Sequence, residues 1–408
     1  MEFFEFQLPN GIRVVHKNVD SPIAHCGFIL NIGTRDEMDN EQGIAHFIEH
    51  TIFKGTAKRK AYHILSRLDD VGGEINAFTT REDISIYASF LTEYYERAIE
   101  LLFDIMFSST FPEKELNKEK DVVIDEIFSY KDNPSELIFD DVEAMIFRDH
   151  PIGNNILGSP ETVRSFNKEK VIKFLDETFS TDELVFSSIG NISEKKLKHL
   201  IEKYGINVPK KHRNRKRIPI NEYKPRFVEK KMDTYQTHAI IANRAYDANH
   251  PKVTALILLN NLLGGTGMNT RLNLNIREKY GFTYNLESFY TPYSDTGVFG
   301  IYLGTDKGSV EKTIKLVFKE MKTLRDKPLG VLQLSKAKKQ LIGQMAIGQE
   351  NNANSMLSFG KALLTFGKIE SYESVIEKIN AISAEDIQQV AREVFDPSQL
   401  TTLIYRAK

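Results

Sequence analysis

The sequence predicts an α+β protein of two homologous domains, each a largely antiparallel sheet with helices packed on it. Strand-like and helix-like segments alternate along the chain, and features of the first half recur in the second. A basic stretch with nearby prolines lies between the halves. Because 408 residues exceed what one hydrophobic core usually serves, two or three domains are expected.

The first half contains the clearest strand and helix signals. Strands are predicted over residues 4–10, 12–16, 26–32, 73–78 and 84–91, where apolar residues cluster or alternate with polar ones. A short polar turn from Thr79 to Glu82 separates the last two strands and predicts a hairpin. Helices are predicted over 93–106 and 113–130, and we expect them to cover one face of the sheet.

Three pairs of segments indicate an internal duplication, because they follow one another at nearly constant offsets. Residues 96–106 resemble 311–321, residues 116–127 resemble 334–345, and the Gly-Thr pair at 55–56 matches the pair at 265–266. Chance similarity between amphipathic helices is the alternative. The duplication predicts a first domain over 1–207 and a second domain over 225–408.

Residues 208–224 are predicted to form an exposed linker between the domains. The run from Lys210 to Arg217 is almost entirely basic, and prolines lie nearby. A nucleic-acid patch is the alternative, but no aromatic residues are interleaved with these charges. The net charge of −2 also argues against nucleic acid or an anionic membrane as a partner.

Composition predicts a globular protein of a reducing, cytoplasmic compartment. Hydrophobic residues make up 41% of the chain and charged residues 27%, which is ordinary for such proteins. The N-terminal sequence does not read as a signal peptide, and no apolar run reaches the roughly 18 residues of a membrane span. Cys26 is the only cysteine, which excludes an internal disulfide and a thiolate zinc cage.

The run His-Phe-Ile-Glu-His at 46–50 carries the most specific chemical signal. Two histidines four positions apart, with a glutamate just before the second, suit a zinc ion that activates water. This order is the reverse of the commoner metallopeptidase motif. We expect the run to lie on a helix over 40–55, with Asn40 as its N-cap and Gly55 at its end.

His46, Glu49 and His50 share one face of that predicted helix, and apolar residues occupy the opposite face. The apolar face comprises Ile44, Phe47, Ile48, Thr51 and Ile52. One side of the helix therefore packs, while the other presents two imidazoles and a carboxylate. The alternative is the polar surface face of an ordinary amphipathic helix.

Glu126 is predicted to be the third zinc ligand, because a catalytic zinc commonly has three protein ligands and one open position. Glu119 and Glu126 both interrupt the apolar stripe of the helix over 113–130. Burying an unpaired carboxylate there costs several kcal/mol, which a metal and its histidine ligands would offset. Glu119 is expected to orient a ligand. A surface helix of different phase is the alternative.

The second half lacks this set of residues. His46, Glu49, His50, Glu119 and Glu126 align with Leu256, Leu259, Asn260, Ala337 and Gln344. The second domain is therefore predicted to be a scaffold without a metal.

With these residues the chain resembles the pitrilysin family (M16) of zinc metallopeptidases in its short two-domain form. That form includes the mitochondrial processing peptidase β subunit and many bacterial processing-type peptidases. The resemblance covers nearly the whole chain. It is carried by residues 46–50, 53–56, 72–77, 150–153, 156–158, 276–279 and 281–284, together with Glu119 and Glu126.

The resemblance implies a zinc-dependent endopeptidase that hydrolyses peptides or small unfolded polypeptides. In that family, residues at the positions of His46, His50 and Glu126 bind Zn2+, and the residue at the position of Glu49 is the general base. These implied roles agree with the residue types at 46–50 and on the helix over 113–130.

The resemblance also implies how a substrate is held. The strand carrying Asn76, Ala77 and Phe78 would offer its backbone edge to an extended peptide. The two domains would form a clamshell around that peptide, with Arg277 and Tyr284 of the second domain contacting the substrate or the scissile carbonyl.

The zinc set and the arginine–tyrosine pair are on one chain, which favours a homodimer without a second subunit type. One alternative is a peptide-binding, non-hydrolysing subunit of a heteromeric processing peptidase, although an intact zinc set argues against it. A second alternative is a structural zinc protein. Three ligands with a glutamate alongside favour an open catalytic site over a closed structural one.

Overall fold

The computed structural model describes residues 3–408 and divides into two compact units. The first unit comprises the chain up to Phe128, Asn154–Ile218 and Ile347–Ile369, and the second comprises Ser129–Gly153, Pro219–Ala346 and Glu370–Lys408. These units do not coincide with the contiguous ranges 1–207 and 225–408, because each half of the chain supplies one segment to the other unit.

The α+β class is confirmed. The strands are β1 (Phe4–Gln7), β2 (Arg13–Asn18), β3 (Ile23–Leu30), β4 (Glu74–Thr79), β5 (Ile84–Leu91), β6 (Leu184–Gly190), β7 (Phe227–Met232), β8 (Thr237–Ala245), β9 (Thr283–Pro292), β10 (Gly297–Thr305) and β11 (Thr401–Ala407).

The α-helices are α1 (Ile44–Thr51), α2 (Ala61–Asp69), α3 (Tyr95–Ser108), α4 (Glu113–Lys131), α5 (Pro134–Ile146), α6 (Pro160–Ser165), α7 (Lys168–Thr178), α8 (Glu194–Gly205), α9 (Val253–Gly264), α10 (Val310–Asp326), α11 (Val331–Gly348), α12 (Asn352–Phe366), α13 (Tyr372–Ala381) and α14 (Ala384–Val394).

The sheet of the first unit has the strand order β1-β2-β6-β3-β5-β4. Only the β2–β6 pair in it is parallel; the other neighbours are antiparallel. The predicted hairpin is confirmed, since Glu74 pairs with Ser89 and Thr79 pairs with Ile84. Strand β4 therefore lies at one edge of this sheet.

The sheet of the second unit has the strand order β7-β11-β8-β10-β9. Its first pair is parallel and the remaining pairs are antiparallel. This is the order and sense of β2-β6-β3-β5-β4 in the first unit. The two homologous domains predicted from the sequence are thus confirmed in their topology.

Two helices account for the exchange of segments between the halves. Helix α5, from the first half, packs on β8 and β11, and helix α12, from the second half, packs on β3 and β6. Gly360 allows α12 to approach closely, because a Cβ there would lie 2.3 Å from the Ile29 side chain. Ser187 also donates a hydrogen bond of 2.6 Å to the Met356 carbonyl on that helix. Sequence periodicity does not specify which sheet such a helix covers.

The core of the first unit lies between its sheet and its helices. Phe28 on β3 is completely buried, and its ring packs edge-on against Phe103 of α3 and Phe186 of β6. The ring centroids are 5.0 and 5.2 Å apart. This packing fixes α3 against the sheet.

The prediction of an exposed linker over residues 208–224 is wrong for its first part. Residues 208–218, here called the basic strap, belong to the first unit. Arg213 and Arg217 bind the buried Asp36 carboxylate at 2.7 and 2.9 Å, and Arg215 is also ion-paired. The basic strap stays bound to the first unit because its alternate arginines form ion pairs with acidic residues. Sequence spacing does not reveal these partners.

Within the described residues 3–408, no helix combines the length and the apolar character needed to cross a membrane.

Candidate metal centre

Helix α1 carries the His-Phe-Ile-Glu-His run and is shorter than the predicted span of 40–55. Asn40 lies in a 3-10 turn, Asp39–Glu41, and is not the N-cap. Gly43 is the N-cap, with a φ of 89° that favours glycine. A Cβ on Gly43 would also lie 2.6 Å from the Leu157 carbonyl oxygen. Gly43 thus separates the 3-10 turn from α1, and the helix begins after it. The predicted helix start at Asn40 is wrong.

Glu37 accepts the first backbone N–H groups of α1. Its two carboxylate oxygens accept hydrogen bonds of 2.9 Å each from Gly43 and Ala45. The side chain is buried, at 2% exposure, and burial raises the pKa of Glu37 well above its ordinary value, although the two N–H donors act against this. The carboxylate therefore anchors the helix that carries both histidines.

The structure brings the three predicted ligands, His46, His50 and Glu126, together. Nε2 of His46 lies 3.7 Å and Nε2 of His50 lies 3.3 Å from the same Glu126 oxygen, Oε2. All three ligand atoms lie within 4.8 Å of one another. Zinc bonds of about 2.0–2.2 Å in a tetrahedron place ligand atoms about 3.3–3.5 Å apart. The donor set therefore fits a zinc ion.

Glu119 lies behind His50 on the side away from the third ligand. Its Oε1 accepts a hydrogen bond of 3.1 Å from Nδ1 of His50, and its Oε2 binds Nζ of Lys54 at 2.7 Å. A proton on Nδ1 leaves Nε2 free to bind a metal. The sequence analysis gave Lys54 no role in the site, although it lies only four positions after His50 and just beyond the end of α1.

The two histidines have opposite pKa shifts. Burial, with a further contribution from His50, lowers the pKa of His46 to about 4, so its imidazole is neutral near pH 7. Burial alone would lower the pKa of His50, but hydrogen bonds to Glu119 and Glu126 outweigh it and raise the pKa to about 9. A divalent cation bound here takes the place of the His50 proton, because imidazole coordinates in its neutral form.

Glu49 lies beside the three ligands and is held by another element. Thr79, the last residue of β4, donates a hydrogen bond of 2.6 Å from its hydroxyl to Oε2 of Glu49. Burial raises the pKa of Glu49, while that hydrogen bond and the nearby His50 act in the opposite direction. The backbone N–H of Thr79 also favours the charged carboxylate.

Asn76, Ala77 and Phe78 lie on β4. They pair with β5 on one side, and among the described residues no strand pairs with the other side. Because β4 packs against α1, this open backbone edge belongs to the same unit as the metal centre and lies next to its helix.

Arg277 and Tyr284 both lie in the second unit, where their side chains are in contact. The Arg277 guanidinium is 5.1 Å from the centroid of the Tyr284 ring, which is a cation–π distance. Both line a cavity of about 360 Å3. Arg277 lies on a π-helical turn, Asn273–Glu278, and Tyr284 lies on β9.

The second unit has apolar or neutral residues at the positions aligned with the metal centre. Leu256 and Leu259 on α9 are completely buried, and Ala337 on α11 is buried as well. Within residues 3–408, the set of His46, His50 and Glu126 is the one group of three donor residues that could hold a metal ion.

Comparisons with known proteins place this chain in a family. The family model for insulinase (peptidase family M16) matches residues 13–160, and the model for the peptidase M16 inactive domain matches residues 165–341. The uncharacterised zinc protease YmxG of Bacillus subtilis is 32% identical over 97% of this chain and 96% of its own length. The chain belongs to peptidase family M16.

A second relative has nearly the same coverage. An uncharacterised zinc protease of Rickettsia felis is 34% identical over 97% of this chain and 95% of its own length. Among solved structures, a peptidase M16 inactive domain from Pseudomonas fluorescens superposes with a TM-score of 0.92 at 20% identity, covering 100% of this chain and 98% of that one. A protease from Helicobacter pylori gives 0.89 at 20% identity, covering 100% and 99%. These two structures share the fold.

Proposed function

We propose that this protein is a zinc-dependent endopeptidase that hydrolyses peptides or small unfolded polypeptides bound in extended form. The observation that carries the proposal is the spacing of the donor atoms of His46, His50 and Glu126, which suits a tetrahedral zinc with an open position. Family membership and the names of the relatives support it.

The chemistry that zinc supplies when bound is polarisation of a water molecule and of the peptide carbonyl. Glu49 accepts the proton from that water on its Oε1 while the oxygen attacks the carbonyl carbon. It then donates the proton to the nitrogen of the leaving amine, and the peptide C–N bond breaks. Thr79 holds the other oxygen of Glu49 in place throughout.

The open edge of β4, with Asn76, Ala77 and Phe78, is proposed to bind the substrate by strand addition. Main-chain hydrogen bonds along this edge accept many sequences, which suits an enzyme for unfolded polypeptides. The family resemblance assigns Arg277 and Tyr284 to substrate contact, and this role stays a prediction. The cytoplasmic location and the homodimer also stay predictions. Light scattering of the purified protein tests the homodimer.

The decisive experiment combines metal analysis with cleavage of a mixed fluorogenic peptide library. We expect wild type to bind zinc and cleave, and Glu49→Gln to keep zinc while losing about 10²–10⁴-fold in rate. Glu93→Gln, at an exposed position, is the matched control and should behave as wild type. Full activity of Glu49→Gln would show that the proton-transfer role is wrong.

Two other functions give different results in the same assay. A peptide-binding, non-hydrolysing subunit would bind library peptides but leave them intact in the presence of zinc. A structural zinc protein would lose its fold on chelation. For the endopeptidase, we expect cleavage to stop on chelation and to return when zinc is added back, with the fold retained throughout.

A further inference from the structure

The first unit contains an apolar cavity of about 380 Å3 on the helical side of its sheet. Its inner wall includes Leu30 and Ile84 of the sheet and Ile52, which directly follows α1; all three are buried. Phe107 of α3 and Phe179, after α7, form other walls. Ligand sites of this kind are mostly apolar and have volumes of about 300–1,000 Å3, so the cavity is at the small end of that range.

The charged residues that line the cavity lie mostly at its outer end. Glu49, which is half-buried, also lines it. The outer end is lined by Lys210 and Lys211 of the basic strap, together with Asp176 and the half-exposed Ile172 of α7. An apolar interior thus opens at a mouth that two lysines line.

Both lysines at the mouth keep donors for a ligand. Nζ of Lys211 binds Asp176 at 2.6 Å, and Nζ of Lys210 lies 3.5 Å from Asp182. Each ammonium group carries three N–H donors, so one carboxylate partner does not saturate it. An added anion at the mouth therefore finds unused donors and a local charge that is not negative.

We propose that this cavity binds a medium-chain fatty acid, with its alkyl chain inside and its carboxylate at Lys210 and Lys211. The small volume selects a medium chain over a long one. The positive charges of the two lysines at the mouth favour this orientation over the reverse one. Within the described chain no residue of β4 lines the cavity, so this site is separate from the proposed peptide edge.

The test uses decanoate and wild-type protein in titration calorimetry, with decanol as the uncharged counterpart. We expect one saturable decanoate site and weaker binding of decanol, because decanol lacks the carboxylate. The assay needs no peptide substrate, so its result is independent of whether the protein is a peptidase. Absence of saturable decanoate binding would overturn the proposal.

Two variants locate the site. Ile172→Trp places a bulky ring at the mouth and is expected to weaken decanoate binding at least about tenfold. Ile206→Trp is the matched control, because Ile206 is 51% exposed and does not line the cavity. Equal decanoate affinity of wild type and Ile172→Trp would contradict this location.

Charge reversal of the exposed Lys210 and the half-buried Lys211 tests the head-group contact. The double variant Lys210→Glu with Lys211→Glu is expected to weaken decanoate binding about tenfold and leave decanol binding unchanged. Lys195→Glu with Lys216→Glu changes the net charge equally at exposed positions away from the cavity, and should bind as wild type. If both double variants bind decanoate alike, the carboxylate assignment is wrong.

Discussion

The two units share a five-strand sheet order, but their corresponding helices differ in the side chains they carry. These helices are α1 and α4 in the first unit and α9 and α11 in the second. The first pair presents donor atoms at metal-binding distances, while the aligned positions of the second pair are largely buried apolar residues. The scaffold therefore accommodates either a polar centre or ordinary core packing at this place.

The polar version needs support that the apolar version does not. Glu119 is only 7% exposed, and its charge is matched by His50 on one oxygen and Lys54 on the other. Without such partners a buried carboxylate is strongly destabilising. The comparison shows that a metal centre on this scaffold comprises its ligands together with a surrounding set of hydrogen-bond partners.

The largest effect is expected from replacing Glu126 by the residue aligned with it in the second half. Glu126→Gln removes the charged ligand and should weaken zinc binding by more than about a hundredfold, measured by metal analysis after dialysis. The reciprocal change Gln344→Glu should gain no metal, because Leu256 and Asn260 replace the histidines there. Stoichiometric zinc in Glu126→Gln would contradict the ligand assignment.

A smaller effect is expected from Glu119→Ala, which copies Ala337 of the second unit. His50 loses the acceptor that orients its ring, so zinc affinity should fall about 10–100-fold, measured by competition with a chromogenic chelator. Asp121→Ala, at an exposed position on the same helix, is the control. Unchanged affinity in Glu119→Ala would mean that packing alone orients the ring.

The start of α1 is another point at which the two units differ. Helix α9 begins after Lys252, whose N–H donates to His250, and no carboxylate accepts its first N–H groups among the hydrogen bonds of the described chain. Glu37→Ala leaves two buried donors of α1 unpaired and should lower the unfolding free energy by about 1–3 kcal/mol.

Denaturant unfolding measures the effect of this change, with Glu93→Ala as the exposed control. Glu37→Gln keeps one acceptor oxygen, so its unfolding free energy should lie between those of wild type and Glu37→Ala. If Glu37→Ala unfolds at the same denaturant concentration as wild type, the carboxylate is not needed to anchor the helix.

The smallest effect concerns acid stability of the first unit. His16 on β2 is buried and has its pKa lowered to about 4 by that burial. Below about pH 6.5 the unfolded chain binds a proton that the folded state excludes, so unfolding free energy falls as the pH drops towards 4. We expect the loss between pH 7.5 and 5.5 to be about 1 kcal/mol smaller in His16→Gln than in wild type. Equal losses in both proteins would contradict this origin.

Much of the candidate site follows from local spacing. His46 and His50 are four positions apart on a helix, so they must lie on one face whatever the rest of the chain does. Glu119 and Glu126 could be selected because charged residues interrupt an apolar stripe in the sequence, although Val122 and Glu126 of that stripe are exposed in the structure. The strands and the hairpin could also be predicted, because the alternation of apolar and polar residues along a strand is a local property.

Other features depend on residues that are far apart in sequence. Glu37 reaches past a 3-10 turn to the start of α1, and the arginines of the basic strap find Asp36 across the first unit. Helices α5 and α12 cover sheets formed largely by the other half of the chain. No periodicity encodes such partners.

The amino-acid order alone therefore determined which side chains can bind zinc, because helical geometry sets their relative positions over one or two turns. The folded chain decided how those side chains are held, which helix covers which sheet, and where a cavity remains. These depend on packing between distant segments, which is governed by shape and charge in three dimensions.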